Sequence, residues 1–288
     1  MAPIDALLAT VIRGQDTEGV RDFINSGIDV NISHTEAGSA LMAAALHGHM
    51  TMVKTLLALG ADANQRHAKT LMNALHIASA NGHAALIPLL LDGGARVDAQ
   101  DNQRWTPLMF AAQEGHSAVI AALLAAGAAL DHCDDLGCSA LMQAARRGHR
   151  DAVQTLLEQG ADANLIADWA TPLVMAAAAG QVEVVQLLLD AGADVNFLQA
   201  DTGYSALMLA ALQGHNEVVN LLLAEGATPN LQTSWQVSAL TMAQRGQQPA
   251  IAVLLIKAGA SPAAETPQPV YTESGWIGDP MLVAEAEK

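Results

Sequence analysis

Aromatic side chains are scarce in this sequence: nine in 288 residues, or 3%. Charge is scarce too, at 15%, and positive charge scarcest, with 13 Lys and Arg against 29 Asp and Glu. The resulting net charge of −16 argues against nucleic acid as a partner, because neutralising phosphates takes clustered Lys and Arg. It argues equally against an anionic membrane surface. Cysteine occurs only at Cys133 and Cys138, which cannot make a disulfide framework and have no further Cys to complete a metal site. The opening Met1-Ala2-Pro3-Ile4-Asp5 has no basic region, so no cleavable signal peptide is visible. The longest apolar stretch, Ala118–Leu130, is broken by Gly127 and falls short of the ~20 residues a membrane helix needs. These absences lead to the expectation of a soluble cytoplasmic protein, with export by a signal-free route as the alternative.

What the sequence does have is apolar mass, 51% of it, mostly Ala, Leu and Val. That composition suits thin, closely packed helices. It is also periodic. A glycine recurs at Gly27, Gly60, Gly94, Gly127, Gly160, Gly192, Gly226 and Gly259, at intervals of 32 to 34 residues. A second glycine lies 12 residues earlier in six central units (Gly48, Gly82, Gly115, Gly148, Gly180, Gly214), and Gly14 and Gly246 lie 13 earlier in the two end units. A period of this length marks a repeat architecture. Thr106 can cap the first helix of its unit, with Pro107 in the first helical position. Ser39, Asn73, Ser139, Thr171, Ser205 and Ser238 are its equivalents. Gly115 stops that helix. Val119, Ile120, Leu123 and Leu124 then form one apolar stripe at helical spacing, which Gly127 ends. Gly246, one place out of step, reads as a repeat missing a residue ahead of it.

Thr106-Pro107-Leu108-Met109-Phe110-Ala111-Ala112-Gln113-Glu114-Gly115-His116, followed by repeated Leu-Leu-x-x-Gly-Ala-Asp-x-Asn, resembles the ankyrin repeat. The resemblance covers residues 4 to about 261. It implies an all-α ankyrin-repeat solenoid of about eight helix-turn-helix repeats with short turn fingers. The repeats run over about 4–31, 32–64, 65–98, 99–131, 132–164, 165–196, 197–230 and 231–261, and a tail covers 262–288. The family's His after Pro-Leu survives only at His76, with Met42, Met109, Met142 and Met208 in its place in four units.

Little in the pattern points to chemistry. Five units carry Gly-His, at His49, His83, His116, His149 and His215. Helices of successive repeats pack roughly 8–10 Å apart, whereas zinc ligands all lie about 2 Å from one ion, so these histidines are read as structural. No nucleophile–base pair, phosphate loop or paired-carboxylate motif stands out. The expectation is no enzyme, no metal and no cofactor.

Binding is the remaining function, and loops on a rigid scaffold are where it sits. The resemblance places it on the concave face, lined by finger tips and first helices. Arg104, Trp105, Trp169, Tyr204 and Trp235 lie just ahead of helix caps, outside the apolar stripe. Trp, Tyr and Arg dominate interface energies when exposed. The other reading is that these aromatics pack on neighbouring fingers and stiffen the row. Beside them the first helices carry Gln113, Glu114, Arg146, Arg147 and Leu212. Arg146, Arg147 and Arg150 form the one basic cluster, set either to meet an acidic spot on a partner or to balance Asp134 and Asp135. Residues 151–288 carry 15 acids and 3 bases, a field that favours a basic partner.

The implied function is a non-catalytic protein-binding module: an inhibitor, immunity or adaptor protein. The alternatives are a secreted bacterial effector acting on a host protein and a structural, self-assembling protein. One end is unusual. Terminal repeats have a polar outer face, yet Pro249–Gly259 has one charge, and the tail carries Tyr271, Trp276, Ile277, Met281, Leu282 and Val283. The tail is expected to fold back on the last repeat or to serve as a docking motif.

Overall fold

A computed structural model describes residues 16–34, 38–167, 170–200 and 202–261. The chain divides into two compact units, residues 1–167 and 168–288. In both, the caps and glycines cut the chain into pairs of short helices.

The first unit begins with α1 (Thr17–Asn25), the second helix of its repeat. Four helix pairs follow: α2 (Ala40–Leu46) with α3 (Met50–Ala58), α4 (Ala74–Ala80) with α5 (Ile87–Asp92), α6 (Pro107–Gln113) with α7 (Ser117–Ala125), and α8 (Ala140–Arg147) with α9 (Arg150–Glu158). A single 3-10 turn, Ala84–Leu86, leads into α5, where Pro88 stands in the first turn. First helices stack on first helices and second on second from one repeat to the next. The second unit repeats the arrangement with α10 (Pro172–Ala178) and α11 (Val182–Asp190), α12 (Ala206–Gln213) and α13 (Asn216–Ala224), and α14 (Ala239–Arg245) and α15 (Pro249–Lys257). Among the described residues, β-structure is limited to the two-residue hairpin Ser33–His34 with Gly38–Ser39 and an isolated bridge between Gln232 and Ser238.

Each first helix starts where its cap stands. The Thr106 hydroxyl accepts from the Met109 amide at 3.4 Å, and Ser39, Asn73, Ser139, Thr171, Ser205 and Ser238 do the same for their helices. This satisfies one amide of each first turn. Small side chains then let the helices approach closely: in α8, Ala140, Leu141, Met142, Gln143, Ala144 and Ala145 are all buried.

Repeat 8 is not short of a residue. From cap to closing glycine, Ser238 to Gly259, it is as long as Ser205 to Gly226 or Thr106 to Gly127, and the inner glycine has moved by one place. Gln247, φ +54°, takes the left-handed position that Gly214 takes in the preceding repeat. Gly246 instead lies against the backbone of α12, where a Cβ would sit 2.1 Å from the Leu212 carbonyl oxygen. The glycine is needed there for close approach rather than for φ.

Side chains tie repeat to repeat. Asn64 accepts from the Arg96 amide at 2.9 Å and donates to the Gly94 carbonyl at 2.7 Å. Asn31 does the same with Asp62 and Gly60. In the second unit Asn196 joins Thr228 and Gly226 in this way, and Asn230 joins Ser261 and Gly259. These bonds fix the turns from which the fingers project.

Candidate functional site

Each finger runs from a ladder residue to the next helix cap, and several are held by their own backbone. In the first unit Asp101 N donates to the Trp105 carbonyl at 3.0 Å and Asp134 N to that of Cys138 at 3.1 Å. The carboxylates of these aspartates also cap the turn they open. Asp101 Oδ1 accepts from the amides of Gln103 and Trp105, both at 2.8 Å, and Asp134 Oδ1 from those of Leu136 and Cys138 at 2.9 and 2.8 Å. In the second unit Thr233 plays this part for Trp235 and Val237. Where the residue two ahead of the cap is described, the chain turns left-handed there. Glycine serves at Gly137 and Gly203, but Leu71, Arg104 and Gln236 adopt φ of +59°, +60° and +57°. Such conformations are costly for residues with a Cβ.

This anatomy separates the aromatics that the sequence grouped together. Trp105 stands immediately ahead of the cap, at the base of its finger. It is half-buried, its ring 5.1 Å from that of Phe110, and its carbonyl faces His76 Nε2 at 3.2 Å. Tyr204 occupies the same base position in its finger and is also half-buried. Both therefore lie ahead of the helical stripe but are intermediate in exposure rather than open. Trp235 is different. It lies three residues ahead of its cap, at the tip, and is 56% exposed. Trp169 lies outside the described residues.

Arg104 is exposed beside Trp105, its Nε 4.0 Å from Asp135, a pairing of two half-exposed side chains worth little by itself. At the ends of the first helices, Gln113 and Glu114 hydrogen-bond to each other at 3.2 Å. The basic cluster splits. Arg146 donates to Gln143, which donates to the second carboxylate oxygen of Asp134, so Arg146 is linked to the finger base. Arg147 is exposed in the last turn of α8, while Arg150 turns to Asp151 and Gln154. Leu212 is half-buried at the end of α12.

Several exposed residues escaped the sequence reading. Leu136 is 66% exposed at the tip position that Trp235 occupies in the other unit. Ile166 and Leu198 are exposed in their own fingers, and Leu46 and Met50 flank the inner loop of repeat 2. Counting from the caps would have found Leu136. Nothing about a leucine in so apolar a chain flags it otherwise.

Four of the five Gly-His histidines reach back to the preceding repeat. His83, His116 and His149 each bring Nε2 within 2.8 to 3.1 Å of a first-helix carbonyl of the preceding repeat, and His215 does so with Ala178. His76 is buried, and that burial pushes its pKa down to about 4 against the weaker pull of the Trp105 carbonyl. Among the described residues no group of three His, Cys, Asp or Glu side chains could hold a metal ion, and no helix is long and apolar enough to cross a membrane.

A family model for ankyrin repeats in three copies matches residues 7–101, 75–167 and 173–266. The crystal structure of the human ASB11 ankyrin repeat domain is similar with a TM-score of 0.69 and 32% identity, over 77% of this chain and 98% of that one. The E3 ubiquitin-protein ligase Ufd4 of Drosophila melanogaster is 36% identical over 102 residues, 35% of this chain but 4% of that protein. Glycerophosphocholine phosphodiesterase gde1 of Schizosaccharomyces pombe is 30% identical over 106 residues, and protein phosphatase 1 regulatory subunit 27 of Mus musculus 35% over 101. The chain spans 9% of the former and 65% of the latter.

Proposed function

Because the chain belongs to the ankyrin repeat family, we propose that it is a non-catalytic module that grips a partner protein with its finger tips and first-helix ends, the face that is concave in this family. One observation carries the reading: Leu136 and Trp235 stand 66% and 56% exposed on fingers whose turns are already closed by backbone and side-chain hydrogen bonds. An apolar side chain on a preorganised loop loses little entropy on binding. In the first unit Arg104 pairs with Asp135 and Arg146 is linked through Gln143 to Asp134, which puts charge beside the Leu136 finger, and Trp and Arg are the residues that most often dominate an interface.

The role we assign is to hold or mask another protein, as an inhibitor, immunity protein or adaptor. The similarity to a phosphatase regulatory subunit supports a role of that kind. The 15 acids and 3 bases of residues 151–288 favour a partner with a basic surface. We place the protein in the cytoplasm, where thiols such as Cys133 and Cys138 stay reduced.

The test is co-purification from the native organism's lysate with wild type, Leu136→Ala and Trp235→Ala. The expected result is a stoichiometric partner held by wild type and weakened by each substitution by about 2 kcal/mol, roughly 30-fold. A partner held equally by all three proteins would remove the fingers from the interface.

A further inference from the structure

The outer side of α15 is apolar and open. Ile251 and Leu255 are buried, while Val253 and Ile256 are 51% and 53% exposed. Earlier repeats provide the comparison. Ile256 stands three residues before Gly259, as Leu57 stands before Gly60 and Leu223 before Gly226, and both leucines are partly covered. Leu57 shows what covers this position. A Cβ on Gly93, in the next repeat, would lie 2.8 Å from its methyl group. Val253 stands six residues before Gly259, a place held by Lys54, Gln154, Gln186 and Asn220 in other repeats. Repeat 8 therefore exposes valine where those four repeats carry polar side chains and repeats 3 and 4 carry only Pro88 and Ala121, and leaves uncovered an isoleucine whose counterpart Leu57 a following repeat shields.

The backbone leaves α15 in register for a further repeat. Ser261 N donates to Asn230 Oδ1 at 2.8 Å and Asn230 Nδ2 to the Gly259 carbonyl at 2.8 Å, the bonds that Asn196 makes one repeat earlier. Pro262–Lys288 follow it in the sequence. Those residues are divided in character. Positions 262–269 hold three prolines and no large apolar side chain, whereas 270–284 hold Tyr271, Trp276, Ile277, Met281, Leu282 and Val283. At about 3.1 Å per residue an extended 262–269 spans ~25 Å, and α15 is only ~13 Å long at 1.5 Å per residue. The apolar stretch is thus within reach of every exposed residue of α15.

We propose that residues 270–284 of the same chain, which lie outside the described residues, cover Val253 and Ile256 as the following repeat covers Leu57. The segment supplies an apolar cover for the open face of α15, at an effective concentration set by a spacer of eight residues.

Three full-length proteins test this: wild type, a tail variant (Trp276→Ser, Ile277→Ser, Leu282→Ser) and a face variant (Val253→Lys, Ile256→Lys). Hydrogen exchange of α15 and chymotryptic cleavage at Tyr271 and Trp276 are followed at two protein concentrations. The tail variant is expected to speed exchange in α15 at least tenfold, and the face variant to speed cleavage at Tyr271 at least tenfold, neither depending on concentration. Unchanged α15 exchange in the tail variant, or equal cleavage of the face variant and wild type, would overturn the proposal. Protection of α15 that grows with concentration would overturn it in favour of a second copy of the chain.

Discussion

A Cβ on Gly115 would lie 2.7 Å from the ring of His149, whose Nε2–H donates to the Gln113 carbonyl at 2.8 Å. The glycine thus serves twice: its φ of +76° ends α6, and its missing side chain makes room for the histidine of the next repeat. Gly48 with His83 and Gly82 with His116 repeat the relationship, as Gly180 with His215 does in the second unit.

From this coupling, Gly115→Ala is expected to destabilise the protein by about 2 kcal/mol or more, about 1 from the left-handed backbone and the rest from the displaced ring. His149→Ala is expected to lose about 1–2 kcal/mol through the stranded Gln113 carbonyl and the lost packing. Because the two residues touch, the double variant should cost less than the sum. Urea unfolding of all four proteins measures the coupling, and strict additivity would contradict the contact.

Gln247 allows the opposite experiment. It holds a left-handed φ of +54° at a place where glycine stands in the repeats before it. Gln247→Gly should stabilise by up to about 1 kcal/mol. Gly246→Ala should destabilise, since the Leu212 carbonyl oxygen is 2.1 Å from the added Cβ. A higher urea midpoint for the first and a lower one for the second are the expected pair.

The same two residues show where sequence reading reaches and where it stops. Helix starts were legible because a Ser, Thr or Asn cap is a local signal, as at Thr106 and Ser139. Gly246 misled because glycine was used as a marker of φ, whereas here it marks close approach to α12. The tie between Asn64 and Gly94 was invisible because its partner lies 30 residues away. Trp105 and Trp235 looked alike in sequence. They differ by two places relative to their caps, and that puts one ring on Phe110 and the other in solvent.

The asparagine ladder suggests a repair. Asp98 accepts from the Ala129 amide at 3.0 Å as Asn64 does from Arg96, but a carboxylate has no N–H to offer the Gly127 carbonyl. Asp98→Asn should add that donor and stabilise by about 1 kcal/mol. A urea midpoint at or below wild type at pH 7 would count against the ladder as a source of stability.

His76 predicts a pH dependence. Its pKa falls from 6.5 to about 4 in the folded chain, because burial disfavours the charged ring. Between those values the unfolded chain binds the extra proton, so the neutral ring's contribution is complete above about pH 6.5 and is lost as pH falls toward 4. The slope from this one group is about 1.4 kcal/mol per pH unit at most. His76→Met, which installs the residue found at Met109, should flatten the loss of stability between pH 6.5 and 4.5 relative to wild type. Parallel curves for the two proteins would place the acid sensitivity elsewhere.

Arg104 offers a way to separate folding from binding. It holds φ +60° at a place where Gly137 and Gly203 serve the corresponding fingers, and its pairing with Asp135 at 4.0 Å is too exposed to offset the strain. Arg104→Gly should therefore stabilise the fold by up to about 1 kcal/mol. A residue that costs stability while standing exposed beside Trp105 is a candidate for use in binding, and such residues trade one property against the other. The expected outcome is a higher urea midpoint together with weaker retention of the partner, by about tenfold or more. If Arg104→Gly raises the midpoint and leaves retention unchanged, the strain at this finger has no counterpart in recognition, and the interface must rest on the apolar tips alone.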